Sequence, residues 1–277
     1  MRKLSAAAAA LVLALSARTA VAGVVITQEQ TVNSGANERK VPQSVMVEGN
    51  KEKMVTGPRE IITDLDKGAL YVVEPATKTY LEFPFPPTGQ MAHMVSRQST
   101  MVDFKKGTTT RTVAGYTCDD YTGSAGSMGG NFTITECFSK NAPGAKEFSA
   151  FQKNMAAKLK DTPMAPPSEV PDGIPLASNS EMKPNSFTPP AGMNPEQAQR
   201  IRDMLAKHGP ITMKTTVTKI EVKKLPADTF TVPAGFTKRE VQMPAMSPMG
   251  GVPMGKPPAA AGAPAPAPAP PAAPEAH

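Results

Sequence analysis

Between Val24 and Phe83 the chain has no helical period, and its short β-rich runs broken by turn signals confine this part to an antiparallel meander. Val24 to Val32 opens it. Gln43 to Glu48 and Lys51 to Thr56 flank Gly49-Asn50, a two-residue hairpin connection, and Ile61 to Leu65 and Ala69 to Val73 flank Asp66-Lys67-Gly68. Lys78 to Phe83 stops at Pro84, which has no N–H to give to a central ladder.

A second β region runs from Met101 to Ser139 and closes with GYTCDDY, a glycine-rich loop from Gly123 to Gly130, and NFTITECF. The period of two puts Phe132, Ile134 and Phe138 on one face and Thr133, Thr135 and Cys137 on the other, which reads as polar and outward. Helical pattern begins only afterwards. From Pro143 to Lys160, Phe148, Phe151, Met155 and Leu159 form one stripe opposite the lysines, and such a stripe needs a sheet to lie on. A second helix starts at Asn194 as N-cap, with Pro195 in the first turn and Gln197 at the capping-box position, and ends before Gly209. Its apolar face is Ile201, Met204 and Leu205.

Between the helices, Thr162 to Met193 reads as an extended excursion in which PDGIPL, Pro171 to Leu176, has the pattern of a short edge strand. Ile211 to Leu225 then reads as a long strand that switches phase: Ile211, Met213, Thr215 and Val217 share one face, Ile220 and Val222 the other. A bulge near Thr218 or Lys219 accounts for the switch. Thirty prolines, concentrated after position 160, mark the unpacked remainder. The tail 241–277 is rich in Pro, Ala, Gly and Met and cannot bury enough apolar surface to fold.

Residues 1–22 have the three parts of a cleavable secretory signal: Arg2 and Lys3, an apolar run from Ala6 to Leu15, and Ala20-Val21-Ala22 before the expected cleavage site. The run is too short to span a bilayer, so the mature chain is expected to be periplasmic or secreted and not an integral membrane protein. Removing Arg2, Lys3 and Arg18 leaves 27 of the 30 basic residues against 24 acidic ones. That balance, without a basic stripe, argues against a nucleic-acid partner.

In an oxidising compartment the two cysteines, Cys118 and Cys137, are expected to form a disulfide. Direct opposition of the two would also set Asp119 against Glu136, and opposed like charges destabilise a ladder. The simple register is therefore doubtful, and a bulge or wider loop would relieve it.

ITDLDKGALYVVEPATKTYLEF, TVAGYTCDDY, PDGIPL and LPADTFTVPAGFTK together resemble an uncharacterised family of exported bacterial proteins, a domain of unknown function similar to the periplasmic lipoprotein carriers, the LolA-like superfamily. The resemblance covers roughly Gly23 to Lys238, with 178–210 as an apparent insertion. It implies an α+β fold, mostly antiparallel β: a curled sheet, an open half-barrel, packed on one or two helices and offering a hydrophobic concavity. It implies no catalytic residues.

The function expected is a non-enzymatic binding protein for an apolar ligand such as an acyl chain or lipoprotein, with Phe132, Ile134, Phe138 and Val217 facing it. No cofactor is expected. His93, His208 and His277 have no ligand spacing, and GSAGSMGG lacks the ending of a phosphate-binding loop. Asp64-x-Asp66-x-Gly68 shares only the opening of a calcium loop and reads as a turn. Two alternatives attach to the tail: a cell-envelope partner held by its Pro-rich part, and Cu(I) held by the thioethers of Met243, Met246, Met249 and Met254.

Overall fold

The computed structural model describes residues 22–34, 37–89, 102–127, 130–162, 164–166, 170–182, 193–208 and 211–240. The signal segment up to residue 21, the tail 241–277, and with them His93, His277 and the four tail methionines, lie outside the described residues.

The N-terminal meander consists of β1 (Gly23–Ser34), β2 (Asn37–Glu48), β3 (Lys51–Thr56), β4 (Arg59–Asp64), β5 (Ala69–Glu74) and β6 (Thr79–Pro84), each antiparallel to the next. β3 to β6 match the strands read from the sequence because local turns close their hairpins, whereas β2 begins at Asn37, six residues before the Gln43 expected. At the β4–β5 turn the Asp64 carboxylate accepts hydrogen bonds from the backbone N–H groups of Asp66 and Lys67, at 3.1 and 3.0 Å, so the Asp-x-Asp-x-Gly stretch is a turn built by its first aspartate.

The chain continues through β7 (Lys105–Val113), β8 (Tyr116–Ser127), β9 (Gly130–Ser139), α1 (Ala145–Leu159), β10 (Ile174–Met182), α2 (Pro195–His208), β11 (Ile211–Lys223) and β12 (Thr237–Lys238). All twelve strands belong to one unclosed sheet in the order β12-β6-β5-β4-β3-β2-β1-β11-β10-β9-β8-β7. Its free edge at β7 is almost wholly exposed, and Lys105, Lys106 and Arg111 on it disfavour pairing with another chain.

Three expectations need correction. The stretch Gly123 to Gly130 is not a loop, since β8 runs to Ser127 and β9 begins at Gly130. Small residues there weaken a strand without ending it while its β9 edge stays paired as far as Ser127. PDGIPL is not an edge strand either. Its Ile174 opens β10, which lies between β9 and β11 and extends to Met182, through the first residues of the apparent insertion. The serines and asparagine of this half-strand masked its β character.

The third correction concerns the disulfide. Cys118 and Cys137 are bonded, with Cα atoms 5.3 Å apart. The ladder is offset by two residues from direct opposition: Cys137 faces Asp120, Asp119 faces Phe138, and Glu136 faces Tyr121, so the like charges never meet and no bulge is needed. The bridge joins diagonal neighbours. It is also buried, not outward: Cys118 is 2% and Cys137 0% exposed within the main hydrophobic cluster, against which Val113 and Tyr116 pack. The threonines beside Cys137 suggested solvent, but the bridge belongs to the main cluster.

In β11 the ladder to β1 pairs Thr27 with Lys219 and Gln28 with Val217, leaving Thr218 as the extra residue. This is the bulge that the phase switch predicts. Helix α1 packs on β1, β2 and β10, and Phe148, Phe151 and Leu159 of its stripe are buried. Gly144, with φ 78°, permits the close approach at its start: a Cβ there would lie 2.6 Å from a methyl of Val24. The opposite face of the meander is covered by the chain's own return. Leu225 and Phe230 are buried with Ile62 and Val73, Val232 and Phe236 pack beside them, and β12 adds in parallel to β6. The LPADTFTVPAGFTK motif thus seals that face.

Candidate functional site

The α1 side of the sheet carries the candidate site. Direct cross-strand pairing lines up two rows there. One is Val45, Met54, Ile61, Val72 and Leu81; the other is Val47, Glu52, Thr63, Leu70 and Phe83. The β2 members, Val45 and Val47, are buried in the main core with Phe151. Farther from α1 the apolar members Met54, Ile61, Leu70, Val72, Leu81 and Phe83 are all only half-buried. A polar step bounds the rows: Gln43 donates to the Thr56 hydroxyl at 2.8 Å and accepts from Gln28.

Glu52 interrupts this apolar surface. Its carboxyl has no hydrogen-bond or ion-pair partner among the described residues, and burial pushes its pKa from the ordinary 4.5 up to about 7. Below pH 4.5 the group is neutral whether the chain is folded or not. As pH rises toward about 7 the unfolded chain releases a proton that the folded chain retains, so stability falls, and above that the full penalty applies. E52Q is therefore expected to stabilise the protein at pH 8 by on the order of 1–3 kcal/mol and to have little effect at pH 4. Urea denaturation at the two pH values checks this, and equal effects at both would refute the burial of the carboxylate.

Farther along the same side, Glu136 is also held above the ordinary carboxylate range by burial, against the opposing effect of a hydrogen bond donated by Ser178 at 3.1 Å. Beside it lies an aromatic group. The Phe138 ring meets Tyr121 and Phe104 edge-on, with centroids 5.4 and 5.7 Å away. Phe104 reaches this place because Gly123 lets the incoming strand segment cross β8: a Cβ on Gly123 would collide with Val102 and approach the Asp103 carbonyl to 2.9 Å.

Phe132, Ile134, Phe138 and Val217 do lie on this one side, by their pairing through β8 to β11 and β1, but they do not form one surface. Val217 is 2% exposed in the main core, and Phe138 is 6% exposed in the aromatic group. Phe132 and Ile134 are half-buried. The residues missed were Glu52 and the apolar members of the rows, Met54, Ile61, Leu70, Val72, Leu81 and Phe83. KEKMVT has one apolar residue in each phase, so its sequence does not reveal which face is covered.

For α2, the Asn194 carboxamide oxygen accepts a hydrogen bond from the Glu196 N–H at 2.8 Å, which is the N-cap expected. The side chains of Ile201, Met204, Leu205 and His208 lie outside the described residues. No described helix is long and apolar enough to cross a membrane, and no cluster of three metal-ligating His, Cys, Asp or Glu side chains occurs among the described residues.

No family model and no curated protein matches the chain. Among solved structures it is similar to PNGF-II, at 9% identity and a TM-score of 0.39, over 79% of this chain and 31% of that one. The chain thus spans under a third of that protein. It is also similar to a DUF1329 family protein from Desulfovibrio piger, at 10% identity and a TM-score of 0.32, over 77% of this chain and 90% of the other. A LolA superfamily protein from Nitrosomonas europaea is similar at 9% identity and a TM-score of 0.30, over 76% of this chain and 90% of the other.

Proposed function

We propose that this is an exported, non-enzymatic binding protein whose unclosed sheet shelters an apolar ligand such as an acyl chain. The observation that carries the reading is the pair of rows on β3 to β6. Met54, Ile61, Leu70, Val72, Leu81 and Phe83 stand side by side and half-buried on the side of the sheet that α1 occupies. A contiguous apolar surface of this kind on an exported chain favours a ligand that covers it. The export signal and the motif resemblance support the periplasm as its place of work. Glu52 adds one polar anchor, neutral at acidic pH.

The reading is tested with N-phenyl-1-naphthylamine, an uncharged probe that fluoresces in apolar surroundings. The mature chain is expected to bind it saturably, and I61S/V72S to weaken binding by about thirtyfold, since each substitution removes roughly 1 kcal/mol of apolar contact. The absence of saturable binding, or unchanged affinity in a folded I61S/V72S variant, would overturn the proposal.

A further inference from the structure

A second recess lies beyond those rows, between α1 and β8. It is a cleft of about 700 Å³ in which Phe104 and Tyr121 form one wall and Lys153 and Lys160 of α1 and its C-cap form the other. Lys140, just after β9, and Asp172, just before β10, complete the charged lining. The chain places them there by tertiary contacts alone. The Gly173 N–H donates to the Ser149 hydroxyl at 2.8 Å, which ties the approach to β10 onto α1, while the crossing over Gly123 delivers Phe104 from the other side.

Among the described residues three lysines therefore face Asp172, and the Asp119 carboxylate also acts on Lys140. Asp172 pairs with Lys153 at 2.7 Å, and that contact holds its carboxyl below the ordinary range, so it stays charged. Neither Lys140 nor Lys160 is ion-paired to a described carboxylate. Both are exposed. Among the described residues the recess thus keeps a local excess of positive charge, above a floor of carbon from Ala156, Ala157 and Val170.

We infer that this cleft binds the phosphate of an anionic amphiphile, with Lys140 and Lys160 on the phosphate and the ring-and-alanine lining against the attached hydrocarbon. Ammonium groups recognise phosphate as point charges and need no fixed fork geometry. The basic groups are gathered in one recess and do not continue as a stripe, which fits a single anionic group and not a nucleic-acid backbone. The site lies apart from the β3 to β6 rows, and it does not depend on their binding anything.

Calorimetry on the mature chain separates the components, using lipids short enough to remain monomeric. Dihexanoylphosphatidylglycerol is expected to bind about tenfold more tightly than dihexanoylphosphatidylcholine, which has the same chains and no net charge. In K140Q/K160Q the preference is expected to vanish while binding of N-phenyl-1-naphthylamine is unchanged. Equal affinity for the two lipids, or a preference that survives in K140Q/K160Q, would overturn the inference. Glycerol phosphate binding as tightly as the charged lipid would overturn the amphiphile, and a short oligonucleotide binding more tightly would overturn the single-anion reading. Both lysines are exposed, so the variant retains its core, and K140E/K160E extends the series with a stronger loss expected.

Discussion

F151A is expected to cost about 3–5 kcal/mol, the range for removing a fully buried phenylalanine and leaving a cavity. Phe151 is 0% exposed and sits where α1 meets the sheet, in the same cluster as Val24, Val47, Ile174 and Leu176. Those cluster members come from the paired strands β1 and β2 and from the distant β10, so no single neighbour can move in to refill the space. A loss of this size is a large fraction of the stability of a typical domain. K158A, on the exposed side of the same helix, is expected to change stability by less than about 0.5 kcal/mol. Urea denaturation of both variants checks the pair, and a cost below about 1 kcal/mol for F151A would show that α1 does not rest on the sheet as described.

Replacing both cysteines, as C118A/C137A, is expected to cost about 2–4 kcal/mol. The bridge spans 19 residues, and for a loop of that size the chain-entropy argument puts the stabilisation at about 3 kcal/mol. The β8–β9 ladder already brings the arms together, which lowers the gain. Burial works the other way, because both sulfur atoms are packed in the main cluster and their removal leaves unfilled volume there. The same burial predicts that the native bridge resists a soluble phosphine reductant until the chain unfolds. Thiol labelling during a urea titration measures this directly; labelling of the cysteines well below the unfolding midpoint would contradict their enclosure.

These two effects differ in how far they could be read before folding. The stripe containing Phe151 was legible, since Phe148, Phe151, Met155 and Leu159 recur at helical spacing and three of the four proved buried. The disulfide was legible from compartment and count. Its surroundings were not: threonines at alternate positions look the same in sequence whether the neighbouring cysteine faces water or lies in the main cluster. Glu52 illustrates the same limit. Flanked by Lys51 and Lys53, it reads as one more solvated charge, and only the pairing with Val47 and Thr63 shows it on the side facing α1.

By itself the sequence determined the parts whose causes are local. Turn residues set hairpins of the meander, alternation set which residues of a strand share a face, and the phase switch after Val217 placed a bulge near Thr218 or Lys219, which the register assigns to Thr218. The tertiary structure alone decided the order of the sheet, in which Gly23 lies opposite Lys223 and β10 sits between β9 and β11. It also decided the offset ladder at the disulfide, the burial of Glu52, and the gathering of Lys140, Lys153 and Lys160 against Phe104 and Tyr121. Each of these depends on contacts between segments distant along the chain, and local periodicity carries no information about which face a distant segment will cover.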